Sequence, residues 1–330
     1  MPNILEQPEL KGLSAGDSFQ GFYILRKVEV KTKRDGKPYL ALELGDKSGR
    51  LSAKVWEEAE SQARELREGE VAKLRGVVQE YQGLMDVKID LIRMATDNDP
   101  VEADKLVKVS DMDLEALYQK ILDTIKELKN KHLNQLLNAI FNDKEFKQKF
   151  SQAAGGKLWH HAVFGGLLEH TVAVMELCQW ISGRYPNLDG ELLMAGALLH
   201  DIGKVEELGG QWAIDYTDSG RLVGHLALGV MFVDKVIQGI PDFPPDLRMK
   251  LLHLMLSHHG EKAMGAPVVP LMLEAQILYL ADEMDSQINA WQHIIERDKD
   301  GKSLWSSYVK LIDRFLYLGP KDDESAPVEE

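Results

Sequence analysis

The order of apolar and polar residues changes period partway along the chain. Up to Met94, five runs alternate or are rich in β-branched residues: SFQGFYILRKVEVKT, PYLALELGD, GRLSAKVWE, GEVAKLRGVVQEY and GLMDVKIDLIRM. Turn-forming sequences separate them, namely RDGKP, DKSG, REGE and YQG. A period of two bounded by such turns predicts strands. Between the third and fourth runs, EEAESQARELRE reads as a helix. From Asp113 the period is helical, in LEALYQKILDTIKEL, LNQLLNAIF and KEFKQKF. More apolar helical stretches follow: FGGLLEHTVAVMELCQW, ELLMAGALLHDIGK, GHLALGVMFV, LLHLMLSHHG and LEAQILYLADEMDSQI. GGQWAIDYTDSG reads as a short hairpin inserted among them, and no internal repeat is visible.

Five strands with a helix between the third and fourth is the order of an OB-fold, a small Greek-key barrel that commonly binds single strands. The expected fold class is therefore multidomain α+β. A five-stranded OB-fold barrel spans residues 1–97 and a linker spans 98–112. An all-α helical bundle spans 113–318, and an acidic, disordered tail spans 319–330. Arg26, Lys27, Lys31, Lys33, Arg34 and Lys37 cluster around the first hairpin, and Tyr39, Trp56 and Tyr81 lie on or beside strands. Aromatic faces stack on bases while cations follow phosphates, which makes Lys33, Arg34, Tyr39, Trp56 and Tyr81 candidate strand-binding residues. The plainer readings are a solvated turn, core aromatics and a barrel used for protein contact.

Composition narrows the class. The chain has 330 residues, enough for two domains and a sizeable core. Its net charge of −14 argues against a protein that coats nucleic acid generally, and nearly all the acid excess lies beyond residue 97. No apolar run reaches the roughly 18 residues that cross a bilayer, and the N-terminal sequence shows no signal-peptide pattern. A single cysteine, Cys178, excludes an intramolecular disulfide. The expected location is a reducing cytoplasm, with no membrane partner.

The chemistry is concentrated in the helical half. His200-Asp201 ends an apolar, helix-forming run and is followed by Gly203 and Lys204. A buried charge must be paired or bind a metal. His170, His225, His258-His259 and Asp282 also lie on or beside apolar helical stretches. A lone histidine on such a helix is usually a satisfied core residue, which is the reading for His253 and His293. For His132 a solvated face is the plainer reading. Seven such groups are harder to explain one by one, and they have the number and type of ligands for two divalent metals. Asp201 has two oxygens and can bridge two ions. Lys204 lies three and four residues after Asp201 and His200, on the same helix face. Ala195, Gly196 and Ala197 allow partner helices to approach closely. His160 and His161, just before the first ligand helix, either contact substrate phosphate or cap and pack.

The pattern H…HD-x-x-K…H…HH…D resembles the HD-domain metal-dependent phosphohydrolases in their two-metal form, over roughly residues 130–315. The resemblance implies that His170, His200, Asp201 and Asp282 hold one ion. It places the second on Asp201, His225, His258 and His259. The order OB barrel, linker, HD domain, with LWHHAVFGGLLEHT and LLHDIGK, is similar to the YhaM-type 3′→5′ exoribonucleases along nearly the whole chain. That likeness implies Mn²⁺, single-stranded RNA as substrate with single-stranded DNA as a further one, and nucleoside 5′-monophosphate products. Cleavage direction rests on it alone. His-rich ligation also suits Fe²⁺, Co²⁺ or Ni²⁺.

The expected mechanism is in-line attack by hydroxide from a water shared by two metals, with Asp201 and Lys204 as the catalytic residues. One alternative is an HD-domain hydrolase of small nucleotides, which has no need of a strand-holding barrel. Another is a cyclic-dinucleotide phosphodiesterase, although Lys204 is followed by Val-Glu-Glu and not by the Gly-Tyr-Pro signature of that group. A third is a non-catalytic nucleic-acid-binding regulator. The sequence leaves the native metal, RNA-over-DNA preference and homo-oligomerisation open.

Overall fold

A computed structural model describes residues 4–33, 35–81, 83–157, 161–210, 212, 214–299, 301, 303–310 and 312–320. Arg34, His160, the Tyr81 side chain and residues 321–330 of the tail lie outside the described part.

The alternating half folds as a closed barrel. Its strands are β2 (Ser18–Thr32), β3 (Pro38–Gly45), β4 (Arg50–Val55), β5 (Val71–Tyr81) and β6 (Leu84–Met94), and helix α1 (Ala59–Glu65) lies between β4 and β5. Hydrogen bonding runs in the order β2-β3-β4-β6-β5, and β2 also pairs with β5, which closes the barrel. The β4–β6 pair is parallel, and the other four barrel pairings are antiparallel. Alternation places Leu40, Leu42 and Leu44 inside with Phe19, Tyr23, Leu25, Leu74 and Val87. β2 is long enough to pair with both neighbours because it bends at a bulge. Leu25 pairs with Leu44 and Lys27 with Glu43, so Arg26 has no partner on β3. A further strand, β1 (Ile4–Glu6), adds to the edge of β2 in parallel. The sequence pattern does not show it, because three exposed residues cannot display an alternation.

The second half is helical. A short helix α2 (Ala103–Leu106) precedes α3 (Leu114–Glu127), α4 (Lys131–Phe141) and α5 (Lys144–Gln152). Asp113, Asn130 and Asp143 cap the last three, each accepting a backbone N–H of the first turn. Then come α6 (Gly166–Arg184), α7 (Gly190–Leu199) and α8 (Lys204–Glu207). The hairpin β7 (Leu208–Gly209) and β8 (Asp215–Tyr216) follows, and after it α9 (Asp218–Val223), α10 (His225–Gln238), α11 (Pro245–Ser257) and α12 (Leu273–Asp298). α7 is apolar on all sides, and every residue from Leu192 to Leu199 is buried, so it forms the axis of the bundle. A side chain at Gly196 would lie 2.3 Å from Leu254 of α11, so the glycine permits that close crossing. No helix among the described residues is long and apolar enough to cross a membrane.

An apolar cluster joins the halves. Phe22, Ile24 and Val71 of the barrel pack with Leu106, Val107 and the partly buried Phe164 and Trp212. The backbone of 108–110 pairs with Phe164 directly ahead of α6, through Phe164 N–H to Lys108 O at 3.1 Å and Ser110 N–H to Phe164 O at 2.8 Å.

Candidate metal centre

The helix ends bring the candidate ligands together. His170 lies in the second turn of α6, and His200 terminates α7 with Asp201 in the turn that follows. His225 opens α10, His258 caps α11, and Asp282 lies within α12. Glycines make these approaches feasible. A Cβ at Gly203 would fall 2.0 Å from His225 O, and one at Gly166 would fall 2.1 Å from His161 O. The turn beside the HD pair therefore touches the start of α10 backbone to backbone.

Donor atoms converge at the spacing of shared ligands. His170 Nε2 lies 3.1 Å from His200 Nε2 and 3.2 Å from Asp282 Oδ1. His225 Nε2 lies 3.3 Å from His259 Nε2. Donors about 2.1 Å from a common ion and roughly 90–110° apart are about 3.0–3.4 Å from one another. Asp201 divides its carboxylate between two sides. Oδ2 is 3.5 Å from Nε2 of both His170 and His200. Oδ1 is 3.5 Å from Nε2 of both His225 and His258.

The remaining ring nitrogens set the tautomers. His200 Nδ1 meets Ala197 O and His258 Nδ1 meets Met255 O, each at 2.8 Å. A carbonyl only accepts, so each Nδ1 carries the proton and each Nε2 presents its lone pair to the centre. His170 Nδ1 is 2.7 Å from Asp285 Oδ2, and His225 Nδ1 is 2.9 Å from Glu207 Oε1. Carboxylates behind imidazoles fix ring orientation and raise ligand basicity. Among the described residues, Asp201 Oδ1, His258 Nε2 and His259 Nδ1 are buried polar atoms without a hydrogen-bond partner. Such atoms are costly unless something binds them, and the donor set fits a divalent cation. Two of its groupings, Asp201 with His225, His258 and His259, and His170 with His200 and Asp201, can each hold an ion.

Among the protein groups alone, the charges of the centre act strongly on one another. Burial disfavours the His170 imidazolium, yet hydrogen bonds to Asp282 and Asp285 overcome it and push its pKa up to about 9. Burial opposes ionisation of Asp282 too, and His170 nonetheless holds it far below the usual carboxylate range. Asp201 is likewise held well below that range against burial, by Lys204 and His200. For His259, burial and the neighbouring His258 and His225 lower the pKa to about 4, which keeps its ring neutral. Lys204 is buried, and its Nζ donates to Asp201 Oδ2 at 2.5 Å and to Gly155 O at 2.7 Å.

His161 lies behind the centre. It is buried, its Nε2 is 2.8 Å from Asp285 Oδ2, and its backbone N–H donates to Asn289 Oδ1 at 2.8 Å. Asp285 thus ties His161 to His170. Asp285, Glu207 and Asn289 were not anticipated from the sequence. The available signal was spacing, since Asp285 follows Asp282 by three residues on one helix face. His132 packs edge-on against Phe243, and His253 Nε2 accepts the Leu271 N–H at 3.0 Å.

A cavity of about 480 Å³ opens over the centre, bounded by Asp201, Lys204, His258, His259 and Asp282 on one side and by Trp291 and Arg314 on the other. Small-ligand clefts are of this size. Arg314 belongs to a C-terminal segment that pairs Val309 with Arg314 and packs Val309 and Leu316 on Ile294 of α12. On the barrel, Tyr39 and the exposed Trp56 stack at 5.2 Å, and Lys33 Nζ lies 4.7 Å from the Trp56 ring centre.

Comparison with known proteins accounts for both halves. A model of the HD domain matches residues 167–287, and one described as an OB-fold nucleic acid binding domain matches 26–94. The 3′-5′ exoribonuclease YhaM of Listeria welshimeri is 33% identical over 314 residues, covering 95% of this chain and 99% of its own. The YhaM protein of Geobacillus sp. (strain WCH70) is 31% identical over 87% of this chain and 88% of its own. With identity sustained across barrel, linker and helical bundle alike, the chain belongs to the YhaM family of 3′-5′ exoribonucleases.

Proposed function

We propose that this protein shortens single-stranded RNA from its 3′ end, releasing nucleoside 5′-monophosphates, with two divalent metal ions as cofactors and Mn²⁺ the first candidate. The observation that carries this reading is the division of Asp201, whose Oδ1 faces His225 and His258 while Oδ2 faces His170 and His200. His170, His200, Asp201 and Asp282 would hold one ion, and Asp201, His225, His258 and His259 the other. Divalent ions held there would supply Lewis acidity to the scissile phosphate and lower the pKa of a bound water. Lys204 fixes the Asp201 carboxylate and brings a buried positive charge to the cavity wall, where it would stabilise charge on the non-bridging phosphate oxygens. Trp291 offers a face to the terminal base and Arg314 a cation to its phosphate. His161 serves through Asp285, not by touching substrate.

On the barrel, Tyr39, Trp56 and Lys33 offer a stacking and charge surface for upstream nucleotides. Base stacking and phosphate attraction act on either sugar, so single-stranded DNA is a further substrate in this reading. The free, buried Cys178 suits a reducing cytoplasm. The exposed stripe Leu280, Met284, Ile288 and Ile295 on α12 favours association with further copies of the chain.

The test uses metal-stripped protein, a 5′-labelled RNA 20-mer and added Mn²⁺, with products resolved on a gel. A ladder shortening from the 3′ end, abolished by chelator and by Asp201→Ala, is the expected result. Intact RNA alongside hydrolysis of free nucleotides or a cyclic dinucleotide would replace this reading with a small-substrate phosphohydrolase. RNA binding without turnover under any metal would replace it with a regulator.

A further inference from the structure

A second cavity, of about 320 Å³, lies where the barrel meets the helical domain, and cations line it: Arg26, Lys47 and Arg50 from the barrel, Lys108 from the linker and Lys157 from the loop before α6. In a chain of net charge −14, such a group calls for a physical reason. Asp46 is the acid of the lining, and its oxygens are engaged locally. Oδ2 accepts the Leu10 N–H at 2.7 Å, and Oδ1 accepts from Ser48 N–H at 2.8 Å and Gly49 N–H at 3.0 Å. Lys47, Arg50 and Lys157 lean on the carboxylates of Glu9, Glu43 and Asp215. Arg26 and Lys108 form no ion pair among the described residues.

Arg26 is placed there by the backbone. It is the unpaired residue of the β2 bulge, and bulges re-aim side chains. Its guanidinium lies across Gly45, where a Cβ would come within 2.7 Å of Arg26 Nε. That Nε is buried and has no hydrogen-bond partner among the described residues. Burial, and then the nearby Arg50, lower the Arg26 pKa, and Glu43 opposes them only in part.

Segments that line the cavity also reach both working surfaces. The loop that supplies Lys157 also supplies Gly155, whose carbonyl accepts from Lys204, and His161, which bonds Asp285. Lys108 lies near enough to α12 that its charge, after burial, helps lower the His293 pKa. In the other direction β4 runs from Arg50 at the cavity to the residue preceding Trp56.

We propose that this interdomain cleft binds backbone phosphates of the RNA strand upstream of the scissile bond, with Arg26 and Lys108 as the phosphate-binding residues. The inference rests on the exoribonuclease reading. A strand suits the cleft better than a free anion because β4 leads from it to the stacked Tyr39 and Trp56, and the segment that carries Lys157 also carries the Gly155 carbonyl bonded to Lys204.

The test is fluorescence anisotropy of a labelled RNA 20-mer with full-length, EDTA-treated protein, titrated at several KCl concentrations. Each phosphate contact on a single strand contributes about 0.7 to the salt slope. Arg26→Gln with Lys108→Gln should weaken binding about tenfold near 0.1 M salt and reduce the slope by about 1.4. Each single substitution should remove about half of that change, which keeps the proposal testable if the double variant does not fold. Arg26→Lys should restore most of the slope. Lys235→Gln, on an exposed part of α10, is the charge control and should change neither quantity. Wild-type affinity and slope in the single and double variants would overturn the proposal. So would loss of 5′-AMP binding with unchanged 20-mer binding, which would make the cleft a free-nucleotide site. Failure of the unaltered protein to bind the 20-mer, or to shorten it once Mn²⁺ is restored, would instead overturn the exoribonuclease reading itself.

Discussion

Asp285→Asn is the sharpest probe of how this centre is held. In the native chain one oxygen, Oδ2, lies 2.7 Å from His170 Nδ1 and 2.8 Å from His161 Nε2, in a largely buried position. The amide keeps the shape and can still accept, but it removes the charge from both hydrogen bonds. Charge-assisted bonds are roughly twice as strong as neutral ones, so the change costs about 1–2 kcal/mol of support for the candidate ligand His170. Since about 1.4 kcal/mol is a factor of ten, Mn²⁺ should bind roughly 5- to 30-fold more weakly. The low end of the effect of carboxylates behind metal-bound histidines is of the same size, about tenfold. The assay is RNA hydrolysis against Mn²⁺ concentration, with a parallel calorimetric titration. The midpoint should rise by that factor while the rate at saturating metal stays within about threefold. An unchanged midpoint would refute the orienting role. A collapsed rate at an unchanged midpoint would place Asp285 in the chemistry.

Lys204→Ala should retain bound metal by elemental analysis yet lose about 10²- to 10³-fold in rate, the usual effect of removing one group that stabilises transition-state charge. Full activity would remove Lys204 from the catalytic set. Trp56→Ala deletes an exposed ring stacked on Tyr39, and RNA affinity should fall by about 1–3 kcal/mol in anisotropy titrations, while unchanged affinity would move strand binding off this face. Gly203→Ala places a Cβ 2.0 Å from His225 O, so α10 must shift at a cost of about 1–3 kcal/mol or more. A thermal midpoint equal to that of the unaltered protein, with normal metal content, would contradict the close contact. Cys178 is fully buried, and burial pushes its thiol up to about 12. A maleimide at pH 8 should therefore label the native protein slowly and the denatured protein at one site, and rapid native labelling would show that α6 opens.

Periodicity and residue type made much of this molecule readable in advance. SFQGFYILRKVEVKT became β2 residue for residue, because a run rich in aromatic and β-branched residues and closed by a turn favours a strand. The HD pair and its distant partners could be picked out as candidate ligands because seven such groups on or beside apolar helices are hard to explain one by one. Pattern failed where geometry depended on distant segments. β1 is too short and too exposed to carry a period. Asp285 reads as one more acid on a polar helix face until α6 and the 161–165 loop pack against it.

The amino-acid sequence by itself determined the local structures, the two-part architecture and the identity of the candidate ligands, since each depends on a residue and its near neighbours. Tertiary structure alone decided which atoms meet: that the two Asp201 oxygens face different histidine pairs, that His170 and His225 are backed by Asp285 and Glu207, and that a bulge turns Arg26 into the cleft between domains. The reason is that periodicity records how a side chain faces its own backbone. The partner it meets is set by helices and strands tens of residues away, packed at distances that Gly166, Gly196 and Gly203 permit.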